Sequence, residues 1–170
     1  VNRKFAEVIA RHTLPEDHVS IHDYHLMGVA AALREMGIQS RIGYFLHTPF
    51  PALDLFLKLP WRSQILQALL AYDLVGFQTR RDRRNFVQCL RTMIGGVKVS
   101  GRGPVLTARV GDREMRIGSF PISIDFDEFA DKAGSPEVRD RVLEMFAELR
   151  KDQGPRTVVL GVDRLDYTKG

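Results

Sequence analysis

Short strand-like segments that alternate with helix-like segments are the feature of this sequence that most restricts its fold. Strands are predicted at 18–22, 41–46, 73–77 and 157–162, and the segments between them carry apolar residues three and four positions apart. Short apolar strands separated by helices are typical of a parallel sheet with both faces covered. We therefore expect a doubly wound, Rossmann-like α/β fold.

A predicted hairpin interrupts this alternation. Residues 105–110 and 113–118 flank Gly111-Asp112, which is typical of a hairpin turn, and a further strand is expected at 119–123. A charged helix is then predicted at 136–151. The resumed alternation indicates a change of domain near 123–127.

The composition limits the classes of protein to consider. The 170 residues are 44% hydrophobic and 27% charged, as in a globular domain rather than a disordered chain. The formal net charge of +4 suits anionic partners such as phosphorylated metabolites. Nucleic acid is not expected, because aromatic and basic residues are not interleaved. Cys89 is the only cysteine, which excludes an intramolecular disulfide and cysteine-based metal sites.

The apolar segments and the two ends of the sequence indicate the compartment of the protein and whether the chain is complete. No segment approaches the roughly 20 apolar residues of a membrane span, and Val1 is not followed by a signal-peptide pattern. We expect a cytoplasmic protein without membrane partners. The chain begins without Met and ends directly after a predicted strand, so we expect a piece of a longer protein.

Polar residues follow the first two predicted strands. In doubly wound sheets, ligands bind outside the carboxyl ends of the strands. Asp23, between His22 and His25, can accept hydrogen bonds from a sugar hydroxyl, and it can also cap the helix that follows. His47 lies between a strand and Pro49, a rigid position that favours a functional side chain over a structural one. The spacing of the histidines does not indicate zinc, and no metal is expected.

Two cations follow the last predicted strand. Arg164 and Lys169 lie five residues apart in a strand-to-helix loop and can converge on a phosphate or diphosphate group. The alternative is a surface ion pair between Arg164 and Asp163 or Asp166. The sequence contains no P-loop, no dinucleotide-binding glycine motif and no serine nucleophile elbow, and Cys89 lies in the middle of a predicted helix. The sequence therefore excludes P-loop kinases, ordinary dinucleotide dehydrogenases and hydrolases with a serine or cysteine nucleophile.

Six motifs, taken together, resemble the trehalose-6-phosphate synthase family in order and spacing. They are His-Asp-Tyr-His-Leu at 22–26, Phe-Leu-His-Thr-Pro-Phe-Pro at 45–51, Leu-Pro-Trp-Arg at 59–62, Asp-Leu-Val-Gly-Phe-Gln-Thr at 73–79, Phe-Pro-Ile-Ser-Ile-Asp at 120–125 and Val-Asp-Arg-Leu-Asp-Tyr-Thr-Lys-Gly at 162–170. The resemblance covers essentially the whole chain. One departure is Ser123, where the family usually has Gly, so the backbone between the domains could differ.

The resemblance implies a metal-independent, retaining glucosyltransferase of the two-domain GT-B class. Residues 1–125 would form the later part of the N-terminal, acceptor-side domain, and residues 126–170 the start of the nucleotide-sugar domain. Asp23 would hold the glucose-6-phosphate acceptor, and His47 would contact the donor glucose near the reacting carbon. Arg164 and Lys169 would bind the donor diphosphate.

The resemblance also implies substrates and leaves alternatives open. No cofactor is implied; the donor would be UDP-glucose and the product α,α-trehalose 6-phosphate. Similar motifs occur in glucosylglycerol-phosphate synthases, which use glycerol-3-phosphate, and in non-catalytic regulatory homologues. A homo-oligomer stays open for the full-length protein. The 170-residue chain alone is expected to transfer no glucose, because half of the donor pocket would be missing.

Overall fold

The computed structural model of the chain describes residues 1–150, 159, 161 and 162. The chain divides into two compact units, Val1–Ile122 and Ser123–Gly170. Arg164 and Lys169 lie outside the described residues, as do residues 157, 158 and 160 of the strand predicted at 157–162. The assignment of the two units to an acceptor-side and a nucleotide-sugar domain stays a prediction.

The first unit is built on one six-stranded sheet, which confirms the α/β fold class. Its strands are β1 (His18–His22), β2 (Arg41–Leu46), β3 (Leu74–Phe77), β4 (Lys98–Ser100), β5 (Val105–Val110) and β6 (Arg113–Ser119). The strand order is β1-β2-β3-β6-β5-β4. The first four in this order pair in parallel, and β6, β5 and β4 pair antiparallel, so the sheet is mixed rather than wholly parallel.

The predicted hairpin forms, but the separate strand expected at 119–123 does not. β5 and β6 are the two arms of the hairpin, and β6 is itself the parallel neighbour of β3. The Phe120 amide still donates to the Phe77 carbonyl, with an N–O distance of 2.8 Å. Pro121 then has no amide hydrogen to continue the ladder, and the Ile122 amide donates instead to the Gln78 side chain at 3.0 Å. The expectation at 119–123 was therefore wrong beyond Ser119.

Seven α-helices and one 3₁₀ turn accompany the strands in the described residues. The helices are α1 (Asn2–His12), α2 (Val29–Glu35), α3 (Leu53–Phe56), α4 (Arg62–Leu69), α5 (Arg80–Met93), α6 (Phe126–Ala133) and α7 (Pro136–Arg150); the 3₁₀ turn is Tyr24–Leu26. Within this part of the chain, no helix is long and apolar enough to cross a membrane.

The apolar core lies on one face of the sheet. In β2, Ile42, Tyr44 and Leu46 are buried, while Gly43 and Phe45 between them are partly exposed on the opposite face. The buried strand residues join apolar side chains of α1, α2, α4 and α5 in one cluster. The expected helical covering of both faces is therefore seen on one face only within the residues that the structure describes.

Local signals in the sequence set the ends of two helices. Gly37 has a φ of +83°, and the amides of Gly37 and Ile38 donate to the carbonyls of Arg34 and Leu33, which is a Schellman ending for α2. At the start of α5, the Thr79 hydroxyl accepts from the Asp82 amide at 3.1 Å. The helix predicted at 25–36 is divided, because the Asn2 side chain binds the Gly28 amide and the His25 carbonyl between the 3₁₀ turn and α2.

In the second unit, Asp125 caps α6 by accepting a hydrogen bond from the Glu128 amide at 3.2 Å.

Among the described residues other than glycine, only Asp23 has a positive φ. Ser123 therefore does not require the backbone freedom of the glycine that the family usually has at this position.

Candidate functional site

The carboxyl ends of β1 and β2 bring two histidines into contact. The strands are parallel neighbours with His22 opposite Phe45, so His47 lies just beyond the same end of the sheet. The distance between His22 Nδ1 and His47 Nε2 is 2.9 Å. Their ring centroids are 5.2 Å apart, with an angle of 26° between the ring planes. The two imidazoles form one hydrogen-bonded pair at this edge.

Asp23 occupies a backbone conformation that normally requires glycine. Its φ is 67° and its ψ is 164°. The conformation is held on both sides: the Asp23 amide donates to the Phe45 carbonyl at 2.9 Å, and its carboxylate accepts from the Tyr24 amide at 3.0 Å. A non-glycine residue in this region costs about 1–3 kcal/mol, and such strain concentrates at functional sites. Asp23 therefore caps the 3₁₀ turn Tyr24–Leu26, whereas α2 begins later, after Gly28. The role of Asp23 in binding stays a prediction.

Two tyrosines pack together in the core near Asp23. The rings of Tyr44 and Tyr72 lie 5.0 Å apart. The Tyr72 hydroxyl donates to the Leu26 carbonyl at 2.9 Å, whereas the buried Tyr44 hydroxyl has no hydrogen-bond partner within the described residues. Burial raises the pKa of Tyr44 well above its usual value, and Tyr72 and the Asp23 carboxylate raise it further. Tyr44 therefore stays a neutral phenol near the Asp23 carboxylate.

A cavity of about 320 Å³ lies along the sheet face that carries the histidine pair. Its lining residues come from the ends of the parallel strands and the segment after β6: Ser20, His22, Gly43, Tyr44, Phe45, His47, Leu74, Gly76, Phe120 and Ile122. A Cβ atom at Gly76 would lie 2.8 Å from the Phe45 ring and 3.1 Å from the Phe120 ring, and one at Gly118 would overlap the Phe120 ring. These glycines make room for an aromatic wall beside the histidines.

The structure brings together some of the residues singled out in the sequence. Asp23 and His47 lie at adjacent strand ends, and His22 joins them through its contact with His47. His25 instead places its ring against Tyr24, with 3.8 Å between centroids. In the part of the chain that the structure describes, no three histidine, cysteine or acidic side chains form a group that could hold a metal ion.

Two contributors to this edge were not anticipated from the sequence. Phe120 lies across Gly76 and Gly118, and Gln78 holds the Ile122 backbone at 3.0 Å. Glycine within a strand pattern is itself a signal of close approach by another group, so Gly76 and Gly118 could have indicated the aromatic wall. No comparable signal pointed to Gln78.

The chemistry of this edge suits a polyhydroxylated ligand. The Asp23 carboxylate can accept hydrogen bonds from hydroxyl groups, and an imidazole can donate or accept one. Aromatic rings such as Phe45, whose centroid lies 4.8 Å from that of His47, supply an apolar wall. Pockets of this kind, mostly apolar with a few polar groups, are typical of small-molecule sites.

Comparison with known proteins places these observations in a family context. The family model of glycosyltransferase family 20 matches residues 1–170. A trehalose-6-phosphate synthase of Mycobacterium sp. (strain KMS) is 43% identical over 174 residues, which is 100% of this chain and 35% of the relative. The corresponding protein of Mycolicibacterium paratuberculosis (strain ATCC BAA-968 / K-10) is 44% identical over 176 residues, again 100% of this chain and 35% of the relative.

Solved structures show the same similarity. An α,α-trehalose-phosphate synthase (UDP-forming) from Burkholderia xenovorans, in complex with glucose-6-phosphate, is 36% identical with a TM-score of 0.74; 88% of this chain and 32% of that one are covered. A second structure, trehalose-6-phosphate from E. coli bound with UDP-2-fluoro glucose, is 36% identical to this chain with a TM-score of 0.70. The match covers 89% of this chain and 33% of that one. The chain thus spans about a third of the length of the relatives it matches.

Proposed function

The chain belongs to glycosyltransferase family 20, and from this premise we propose that it forms part of an enzyme that transfers glucose from UDP-glucose to glucose-6-phosphate with retention. The product would be α,α-trehalose 6-phosphate. The observation that carries the proposal is that Asp23 and the His22–His47 pair lie together at the carboxyl ends of β1 and β2, within motifs that resemble those of the trehalose-6-phosphate synthases. The cytoplasmic location stays a prediction.

In this proposal, the residues of the sheet edge bind the two sugars. Asp23 accepts hydrogen bonds from hydroxyls of the acceptor, and its strained backbone fixes the direction of the carboxylate. His47 contacts the donor glucose near the reacting carbon. Holding the two sugars in a fixed geometry converts a bimolecular encounter into a step within one complex, which supplies a large share of the rate enhancement.

Arg164 and Lys169 have the complementary role in the proposal, although they lie outside the described residues. The bond between the glucose carbon and the donor phosphate oxygen breaks as the acceptor oxygen attacks from the same side, and the acceptor proton passes to the departing phosphate. The leaving diphosphate gains negative charge during this step. Fixed cations stabilise that charge more in the transition state than in the ground state, which raises the rate.

Product identification from the complete protein tests the proposal. The protein is incubated with UDP-glucose and either glucose-6-phosphate or glycerol-3-phosphate, and with ADP- and GDP-glucose in parallel. We expect UDP release with glucose-6-phosphate and a product with α configuration at both anomeric carbons by NMR. A glucosylglycerol phosphate product would overturn the proposed acceptor, and no product from any pair would favour a non-catalytic homologue.

Substitution of Arg164 tests the role of the diphosphate-binding cations. Arg164→Ala should cost about 2–4 kcal/mol of transition-state stabilisation, by analogy with the loss of one oxyanion donor. This corresponds to a fall in kcat of about 30- to 1,000-fold. The control is Arg81→Ala, which removes an exposed arginine of α5. Normal turnover in the Arg164 variant would remove Arg164 from the proposed role.

A further inference from the structure

His22 contacts both a serine of its own strand and the histidine of the next strand. Its Nε2 lies 3.0 Å from the Ser20 hydroxyl oxygen, and its Nδ1 lies 2.9 Å from His47 Nε2. Both ring nitrogens of His22 are therefore engaged. Within the described residues, His47 Nδ1 has no hydrogen-bond partner, so it is the nitrogen of His47 that remains free to meet a ligand.

The contact between the rings couples the proton positions of the two histidines. A hydrogen bond between two nitrogens requires that one carry the proton and the other accept it. If His22 Nδ1 donates, a neutral His47 carries its proton on Nδ1 and presents a donor to the ligand. His22 Nε2 then accepts from the Ser20 hydroxyl, and the three groups form a continuous chain of donors.

The ring geometry restricts the orientation of His47 as well as its tautomer. The His22 ring lies nearly parallel to the His47 ring, at an interplanar angle of 26°. The Phe45 ring meets His47 from another side, edge-on at 62°. His47 follows the end of β2 and its side chain is exposed, so these neighbouring rings and one hydrogen bond are what hold the imidazole in place.

We propose that His22 is a positioning residue that, with Ser20, locks His47 into the tautomer carrying its proton on Nδ1 and aims that N–H at the ligand. In this arrangement the Ser20 hydroxyl donates to His22 Nε2, which leaves Nδ1 as the His22 nitrogen that donates to His47. The tautomer of His47 depends only on the contacts of His22 with Ser20 and His47. Its consequence for glucose transfer rests on the proposed function, in which His47 contacts the donor sugar.

Two substitutions of His22 separate the effect of the hydrogen bond from that of the neighbouring aromatic ring. His22→Phe keeps an aromatic ring beside His47 and removes both nitrogens. His22→Asn places an amide nitrogen near the position of Nδ1 and can keep one hydrogen bond to His47. The matched control is His18→Phe, because His18 lies on the same strand four residues earlier and is also exposed.

The first measurement is the tautomer of His47 in the complete protein labelled with ¹⁵N-histidine. Long-range proton–nitrogen NMR spectra distinguish a protonated from an unprotonated ring nitrogen, and His47→Gln identifies the signals of His47. We expect the proton on Nδ1 in the unaltered protein, in His18→Phe and in His22→Asn. In His22→Phe we expect a mixture of the two tautomers. An unchanged His47 spectrum in His22→Phe, or a proton on Nε2 in the unaltered protein, would overturn the proposal.

The second measurement is the steady-state kinetics of the same variants. Misplacing a group that contacts the reacting sugar lowers the rate by about 10- to 100-fold. We expect this fall in kcat for His22→Phe, with a smaller change in KM and substantial recovery in His22→Asn. A changed tautomer with undiminished kcat would overturn the link to transfer. The expected tautomer change in a protein that transfers no glucose would contradict the proposed function alone.

Discussion

Replacing Asp23 by Gly and by Ala tests whether its backbone is strained as the structure indicates. At most positions the Gly variant is less stable than the Ala variant by about 0.5–1 kcal/mol, because glycine loses more freedom on folding. At φ 67° and ψ 164° the order should reverse, because alanine keeps the Cβ atom that this region disfavours. The comparison measures strain directly, since both variants lose the same carboxylate and its bond to the Tyr24 amide.

The magnitude follows from two opposing contributions. Relief of strain favours the Gly variant by about 1–3 kcal/mol. The greater freedom of glycine in the unfolded chain offsets about 0.4–1 kcal/mol of this gain. From the middle of the two ranges, we expect the free energy of unfolding of the Asp23→Gly variant to be about 1 kcal/mol larger than that of the Asp23→Ala variant.

Denaturant unfolding of the complete protein provides the assay, with the midpoints of the two variants compared at equal slope. The control pair is Gln88→Gly and Gln88→Ala, at an exposed position within α5, where alanine should be more stable by about 1 kcal/mol. Equal stability of the two Asp23 variants, or greater stability of the Ala variant, would refute the claim of strain. Both variants should also lose glucose transfer, because neither has the carboxylate.

Three further predictions concern the core and the aromatic wall. Tyr44→Phe should raise the free energy of unfolding by about 1 kcal/mol, because it removes a buried hydroxyl without a partner among the described residues. Tyr72→Phe should lower the free energy of unfolding by about 1 kcal/mol, because it removes a hydrogen bond. Denaturation midpoints that move in the same direction in both variants would contradict this prediction. Gly118→Ala should lower the free energy of unfolding by about 1–3 kcal/mol, because the added Cβ displaces the Phe120 ring. In a double-mutant cycle, the same substitution should cost less when Phe120 is already replaced by Ala. Additive effects of the two substitutions would refute the contact. Burial raises the pKa of the Cys89 thiol to about 11, so the thiol stays protonated at pH 8. Peptide mass spectrometry should therefore show alkylation of Cys89 at least about 100-fold slower in the native protein than in the unfolded chain. Comparable alkylation rates would show that the thiol is accessible.

Local signals explain why much of the fold could be predicted from the sequence. The apolar run at 73–77 and the Thr79–Asp82 pair predicted β3 and the start of α5, and the structure confirms both. Gly111-Asp112 likewise marked the turn between β5 and β6. These features depend on a few neighbouring residues, whose conformational preferences are present in the sequence itself.

The differences from expectation come from contacts between distant residues. The predicted strand at 119–123 failed because Pro121 cannot donate, and because Gln78, far away in the sequence, binds the Ile122 amide instead. The hydrogen bond between His22 and His47 was also not anticipated, because it depends on the register of two parallel strands. Periodicity predicts which segments become strands but gives no information on which side chains meet at their ends.

The most direct test of the account is a crystal structure of the complete protein with UDP-glucose and a non-reactive analogue of glucose-6-phosphate. We expect acceptor hydroxyls within about 3.2 Å of the Asp23 carboxylate, and donor glucose at a similar distance from His47. The donor diphosphate should contact Arg164 and Lys169. Sugars bound away from the edge formed by β1 and β2, with these four side chains free of ligand, would contradict the account.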